Sequence, residues 1–416
     1  MLNTLKSKHF FKRIFIFFAI MGPGIITANV DNDAGGITTY SLAGANYGYL
    51  LLWSLIPITI FLIITQEMCN RMGVVTGKGL SDLIREKFGI KITFYTMLLV
   101  LITNFGNIVA EFAGIASSME LFGVSRYLSV PVGAFLVWYL IVKGTYKSVE
   151  KIFLFACIFY ISYIISGILI KPNWLTIFSE IKSPKIRFDT NYLIIFTGLI
   201  GTTIAPWMQF YQQASIAEKG IKLKDYKYSR LDTIFGCITV NIVAFFIMVV
   251  CGTILFKNVG TEPIQTAADA ARALQPLAGE YCSLLFAFGL LNASLFAASI
   301  LPLSTTFTIC ESFGWETGVN KKFSEAPQFY SLYTVLILIG AATILIPGIP
   351  LIKIMFLSQV VNGLVLPIIL VLMLTLVNDK KIMGEYINSK LLNVSSWILT
   401  ILMIIISIYT LISIIK

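Results

Sequence analysis

Two carboxylates, Asp31 and Asp33, stand inside an apolar run that extends from about residue 14 to residue 45. The segment reads Val30-Asp31-Asn32-Asp33-Ala34-Gly35-Gly36. A charged side chain near the centre of a bilayer costs roughly 3 kcal/mol or more, so its presence there signals function. The glycine pair lets a helix unwind at that depth and release carbonyl oxygens. Carboxylate and carbonyl oxygens meeting in a helix break are hard donors, and the chemistry they suit is the binding of a cation such as Mg²⁺, Ca²⁺ or Mn²⁺. Asp33 is the leading ligand. It is also placed to cap the half-helix that follows, because an Asp oxygen accepts from the unpaired N–H groups of a first turn. Asp31, two residues earlier, points to another side of a helix. Asp31 and Asn32 either hold water of a hydrated ion or sit solvated in a vestibule.

The elements that must carry this segment are membrane helices. The chain has 416 residues, of which 57% are hydrophobic and 12% charged, where soluble domains carry about 25% charged residues. Apolar runs long enough to span a bilayer recur along its whole length. The expected fold class is an all-α polytopic membrane protein with eleven spans. They fall near 14–45 (broken), 48–70, 92–119, 127–143, 150–170, 191–216 (broken), 232–256, 281–310, 328–347, 351–377 and 393–415. Residues 1–13 form a cytoplasmic tail and 14–416 a single transmembrane domain. The first run lacks a small-residue cleavage site and carries the Asp break, so it reads as a retained span and not a signal peptide.

The net charge of +10 reflects basic loops and not nucleic-acid binding. With the N-terminus inside, 22 of the 31 Lys and Arg residues lie on the cytoplasmic side. The positive-inside rule therefore gives a cytoplasmic N-terminus, an external C-terminus and a plasma-membrane location. The six cysteines form no CxxC pair, and His9 is the only histidine. Neither a disulfide framework nor a zinc site is implied, and His-based metal sites and a His proton carrier in the spans are excluded. No HExxH, phosphate loop or nucleophile–base pair is present, so the chain is not read as an enzyme. Short loops argue against a receptor or scaffold. No cofactor is implied beyond a metal ion itself, the other partner is the lipid bilayer, and a monomer suffices.

A second break interrupts span six at Thr202-Thr203-Ile204-Ala205-Pro206-Trp207. Proline donates no backbone hydrogen bond and clashes with the preceding turn. Two interrupted spans five apart fit a five-plus-five inverted repeat, about 14–170 and 191–377, with the site between the breaks and an extra helix at about 393–415. Gln209, Gln212 and Gln213 follow at i, i+3, i+4. They either line a permeation path and bind the water of a hydrated ion, or bond to neighbouring helices. Gln359 and Asn362 share a face in span ten and are further candidates for lining the site. Trp207 reads as a wall or gate. Gly79 to Phe88 reads as a short amphipathic helix on the cytoplasmic face. The hydroxyl-rich span eight, with Ser294, Ser299, Ser304, Thr305 and Thr306, suits close helix packing or a sodium site.

These blocks resemble the Nramp divalent-metal transporters. Asp33-Ala34-Gly35-Gly36 followed by Ala43-Gly44-Ala45-Asn46-Tyr47-Gly48-Tyr49 is similar to that family's Asp-Pro-Gly-Asn and Ala-Gly-Ala-x-Tyr-Gly-Tyr run. Gln66-Glu67-Met68, the stretch Arg71 to Lys78, Ala110-Glu111-Phe112, Gly201 to Trp207 and Gln359-Val360-Val361 also look similar. The resemblance implies a LeuT-type fold, with Asp33 and the carbonyls of Val30 and Thr202 as metal ligands. The departures are specific. The motif Asn is Gly36, the motif Met is Ala205, and two family histidines are Trp207 and Gln212. The span-three Asp is Ile108, and no arginine occurs in span nine. This pattern resembles the Nramp-related magnesium transporters. Loss of a thioether at Ala205 removes a soft donor, with Met208 one turn away as the alternative soft group. Loss of the Asn and Met side chains is expected to enlarge the site for an ion that keeps several waters. Glu111 remains as a vestige of a proton path or as a structural group at the break.

The reading is a transport domain that admits Mg²⁺, and also Mn²⁺, without proton coupling. The alternatives are an ordinary proton-coupled Mn²⁺/Fe²⁺ transporter and a Na⁺-coupled amino-acid symporter on the same fold. The carboxylate in the break is wrong for the anionic end of an amino acid.

Overall fold

The computed structural model describes residues 22–144, 151, 152, 155, 160–256 and 280–415, and all regular structure among them is helical. Nine helices among the described residues are long and apolar enough to cross a membrane. The difference from eleven has two sources. The first expected span is split into α1 (Pro23–Val30) and α2 (Ala34–Tyr47), neither of them long enough to cross alone. Much of the fifth falls among residues 145–159, mostly outside the described set, and its end is α6 (Ile161–Leu169).

The second span, α3 (Leu55–Thr76), starts later and runs deeper than 48–70. Gly48, at φ 58°, ends α2, and the chain turns before α3 begins. At its other end α3 keeps going because its polar residues are buried with partners. Asn70 Nδ2 donates to the Ser229 carbonyl at 2.9 Å and to Thr233 Oγ1 at 2.6 Å. Arg71 pairs with Glu67 at 3.3 Å and donates to the Tyr386 carbonyl at 3.0 Å. The amphipathic stretch and the third span form one element, α4 (Leu80–Leu121), bent at Gly89 with φ 77° and ψ 175°.

The chain continues through α5 (Arg126–Lys143), α6 and α7 (Trp174–Lys182). The last is a short helix that the hydropathy pattern does not announce. Its N-cap is Asn173, which accepts from Thr176 N at 3.2 Å. The sixth span is α8 (Thr190–Thr203) plus α9 (Pro206–Lys219). Then come α10 (Tyr226–Ile254), α11 (Glu280–Phe313), α12 (Pro327–Ile344), α13 (Leu351–Val377), the short α14 (Lys380–Met383) and α15 (Lys390–Ile415).

α10 lies along α1 and α2, while α4 packs against α11 and α13. α8 crosses α13 so closely that a Cβ on Gly201 would strike the Gln359 carbonyl and the Gly363 amide. α15 joins this pair through a 2.9 Å bond between Thr197 and Thr410. Its other face, with Ile398, Ile405 and Ile412, is exposed and suits lipid.

Asp232 of α10 ties down the start of α1, accepting from Gly22 N at 3.2 Å and Gly24 N at 2.7 Å. The first N–H groups of a helix have no partner within it, and a carboxylate there also meets the positive end of the helix dipole. Asp232→Ala should lower stability by about 2 kcal/mol, read as a drop in melting temperature of the purified protein. An unchanged melt would show that the anchor is dispensable.

Candidate ion site at the paired helix breaks

The first break is built by three local devices. α1 tightens at its end, with Asp31 N and Asn32 N bonding to the Ala28 and Asn29 carbonyls, both at 3.2 Å. Asp33 is extended, at φ −72° and ψ −175°, and caps α2 by accepting from Gly36 N at 2.5 Å. Ala34 N, which in a continuous helix would serve the Val30 carbonyl, instead donates to Glu111 Oε2 of α4 at 3.2 Å. The Val30 carbonyl is thereby relieved of its helical donor.

The second break reaches the same result differently. α8 closes with Ile204 N on the Ile200 carbonyl at 2.8 Å. Ala205 is extended, at φ −67° and ψ 143°. Residue 206 would serve the Thr202 carbonyl, but proline has no N–H. Pro206 then starts α9 at the first helical position, where proline is favoured.

The two breaks touch. A Cβ on Gly36 would overlap the Asp31 carbonyl oxygen and lie 3.1 Å from Thr202 Oγ1 and 3.3 Å from Asp33 Oδ1. Three oxygens from both breaks thus gather round one glycine. Thr202 Oγ1 is buried without a hydrogen-bond partner. Tyr40 of α2 and Thr203 of α8 bridge the breaks at 2.8 Å. Among the described residues no three His, Cys, Asp or Glu side chains converge on one point. The donors available here are one carboxylate, backbone carbonyls and a hydroxyl, all hard oxygens.

The structure thus brings together Asp31, Asp33, Gly36 and Thr202, with Glu111 bonded to Ala34 beside them. Gln359 joins them, because its amide covers Gly35 closely enough to overlap any Cβ there. Asn362 stands behind, donating to Gln359 Oε1 at 2.8 Å and exchanging bonds with Asn107 of α4 at 3.0 and 3.1 Å. The glutamines of α9 disperse. Gln209 donates to the Ala205 carbonyl at 3.3 Å and accepts from Gln66 of α3 at 3.0 Å. Gln212 donates to Thr233 of α10, and Gln213 to the Lys78 carbonyl, both at 3.0 Å. Of the two uses open to them, interhelical bonding is the one this conformation displays. Trp207 is buried, and its carbonyl accepts from Ser304 of α11 at 3.1 Å. Asn32 donates to the Val240 carbonyl of α10 at 3.3 Å.

One expectation changes. Gly36 does not open space where the family motif has Asn, because the Asp31 carbonyl oxygen stands 2.3 Å from where a Cβ would be. Ala205 is buried. Tyr40, Thr203 and Asn107 belong to the surroundings of the site and were not singled out from sequence. Asn107 could have been, since it lies one turn before Glu111.

Two interrupted helices set back to back, inside a bundle of membrane-length helices, define the LeuT-type class of membrane protein. The chain belongs to the Nramp family: the model described as natural resistance-associated macrophage protein-like matches residues 24–413. It is 24% identical over 406 residues to the divalent metal cation transporter MntH of Bacillus subtilis, covering 94% of this chain and 91% of that protein. It is 25% identical over 426 residues to MntH of Staphylococcus saprophyticus, covering 95% and 92%. Its fold matches the crystal structure of the Eremococcus coleocola manganese transporter with a TM-score of 0.80 at 21% identity, covering 96% of this chain and 86% of the other.

Proposed function

We propose that this chain carries divalent metal ions into the cytoplasm by alternating access, favouring partly hydrated Mg²⁺ and also passing Mn²⁺, without proton coupling. The observation that carries the reading is the composition of the break. Asp33 supplies one carboxylate, Val30 and Thr202 supply carbonyls stripped of their helical donors, and the Thr202 hydroxyl is unpartnered. The relatives named as divalent metal transporters support the ion class. Ala205 stands where the family motif has a thioether, which favours hard ions over soft ones. Mg²⁺ demands oxygen ligands and dehydrates reluctantly, so it suits a site that makes few direct contacts. Gln359 is positioned beside the ion, and Trp207 forms part of the inner wall. The chain is oriented with its N-terminus in the cytoplasm and its C-terminus outside, in the plasma membrane.

Uncoupled transport follows from the poverty of titratable groups. Apart from Asp31 and Asp33, Glu111 is the acid of the break; its Oε2 accepts from Ala34 N, and its Oε1 has no partner. The membrane potential alone supplies about 4.6 kcal/mol to a divalent ion at 100 mV. Proteoliposomes carrying a metal dye and a pH dye test this. Mg²⁺ and Mn²⁺ uptake without luminal acidification is expected. Acidification that tracks uptake would establish the ordinary proton-coupled reading, and Mn²⁺ uptake without Mg²⁺ would overturn the ion preference.

A further inference from the structure

Asp31 takes no part in the cluster around Gly36 except through its carbonyl. Its side chain neighbours Asp33 and Tyr40 of the first break on one side and Cys237 of α10 on the other. The Asp31 carboxylate is 1% exposed, and neither oxygen receives a hydrogen bond. The Tyr40 hydroxyl approaches it, but its one proton goes to Thr203 Oγ1 at 2.8 Å, since Thr203 spends its own on the Leu199 carbonyl.

The same surroundings hold two amides with a shared habit. Asn32 spends Nδ2 on the Val240 carbonyl at 3.3 Å, and its Oδ1 has no donor. Asn241, next in the chain to Val240, spends Nδ2 on the Cys237 carbonyl at 3.0 Å, and its Oδ1 has none either. Asn29 repeats the pattern a turn earlier, with Nδ2 on the Ile25 carbonyl at 2.8 Å. A buried acceptor left bare is costly, and a buried carboxylate more so. The amides have turned their N–H groups to backbone and left oxygens behind. An oxygen-only set that includes a carboxylate is satisfied by a hard cation.

We propose that Asp31, Asn32 and Asn241 form a second cation station between the first break and α10, taking the same class of hard divalent ion as the Asp33 site. This rests on the reading of Asp33 as a metal ligand. The two stations work in series, not together: Asp31 and Asp33 lie within each other's field, so two dications there would repel. One ion passes between them, and Asp31 holds it when it is not on Asp33.

Mn²⁺ binding to the purified full chain, counted by the electron paramagnetic resonance signal of free Mn²⁺, tests the station. The variants are Asp33→Asn, Asp31→Asn and the double variant, each with a thermal melt to verify folding. Wild type is expected to bind one ion. Asp33→Asn should keep saturable binding weakened ~10–100-fold, and the double variant should lose it. Crystals of Asp33→Asn soaked in Mn²⁺ should show an anomalous peak between Asp31 and α10. No saturable binding by a folded Asp33→Asn protein overturns the station, as does equal binding by the single and double variants. Unweakened binding by Asp33→Asn would instead remove the Asp33 assignment. The Asp31 station would then stand if Asp31→Asn alone abolished binding, and fall if it did not.

Discussion

Asp33→Ala should abolish Mg²⁺ and Mn²⁺ uptake into proteoliposomes, a loss of ~100-fold or more. Two effects add. The carboxylate that stands with the Asp31 carbonyl and the Thr202 hydroxyl around Gly36 disappears, and so does the α2 cap, the 2.5 Å bond from Gly36 N. A lost cap costs about 0.5–2 kcal/mol. Asp33→Asn separates them, because asparagine caps as well as aspartate but carries no charge. The Asn variant should therefore melt near wild type and still fail to transport. Wild-type uptake by either variant would remove Asp33 from the ion path. Uptake restored by Asn alone would assign Asp33 a purely structural role.

Gly36→Ala should be nearly as damaging, although it adds a single methyl group. Its Cβ would overlap the Asp31 carbonyl, a backbone atom that cannot swing aside as a flexible side chain would. Overpacking of this kind costs about 1–3 kcal/mol. Here the strain falls on the break itself, so uptake should drop at least ~10-fold together with the melting temperature. Gly36→Asn combined with Ala205→Met restores the side chains of the family motif, and it should fare no better. The Asp31 carbonyl stands where the Asn Cβ would go, so returning that side chain meets the same clash. A Gly36→Ala protein with unchanged melt and uptake would show that the break relaxes freely.

Much of this architecture was written in the residue pattern. Asp33 and Pro206 are each costly inside a span, and their spacing of five helices carried the inverted repeat. What escaped was set by tertiary contacts. The depth of α3 depends on Asn70 and Arg71 finding partners on α10 and near Tyr386, which hydropathy cannot register. The space at Gly36 was misjudged because a missing side chain was read as a void. Close packing makes such voids rare, and here a carbonyl took the place. The glutamines of α9 looked alike by spacing, yet each faces a different neighbour. Whether a buried amide meets water or another helix is not a property of its own segment.

The two breaks also differ in permanence. At Thr202 the missing bond is covalent in origin: no motion of the chain can give Pro206 an N–H. At Val30 the missing bond has only been diverted, because Ala34 keeps its N–H and lends it to Glu111 at 3.2 Å. The break in the sixth span is thus written into the chain itself, whereas the one in the first is held by a neighbouring helix through Glu111.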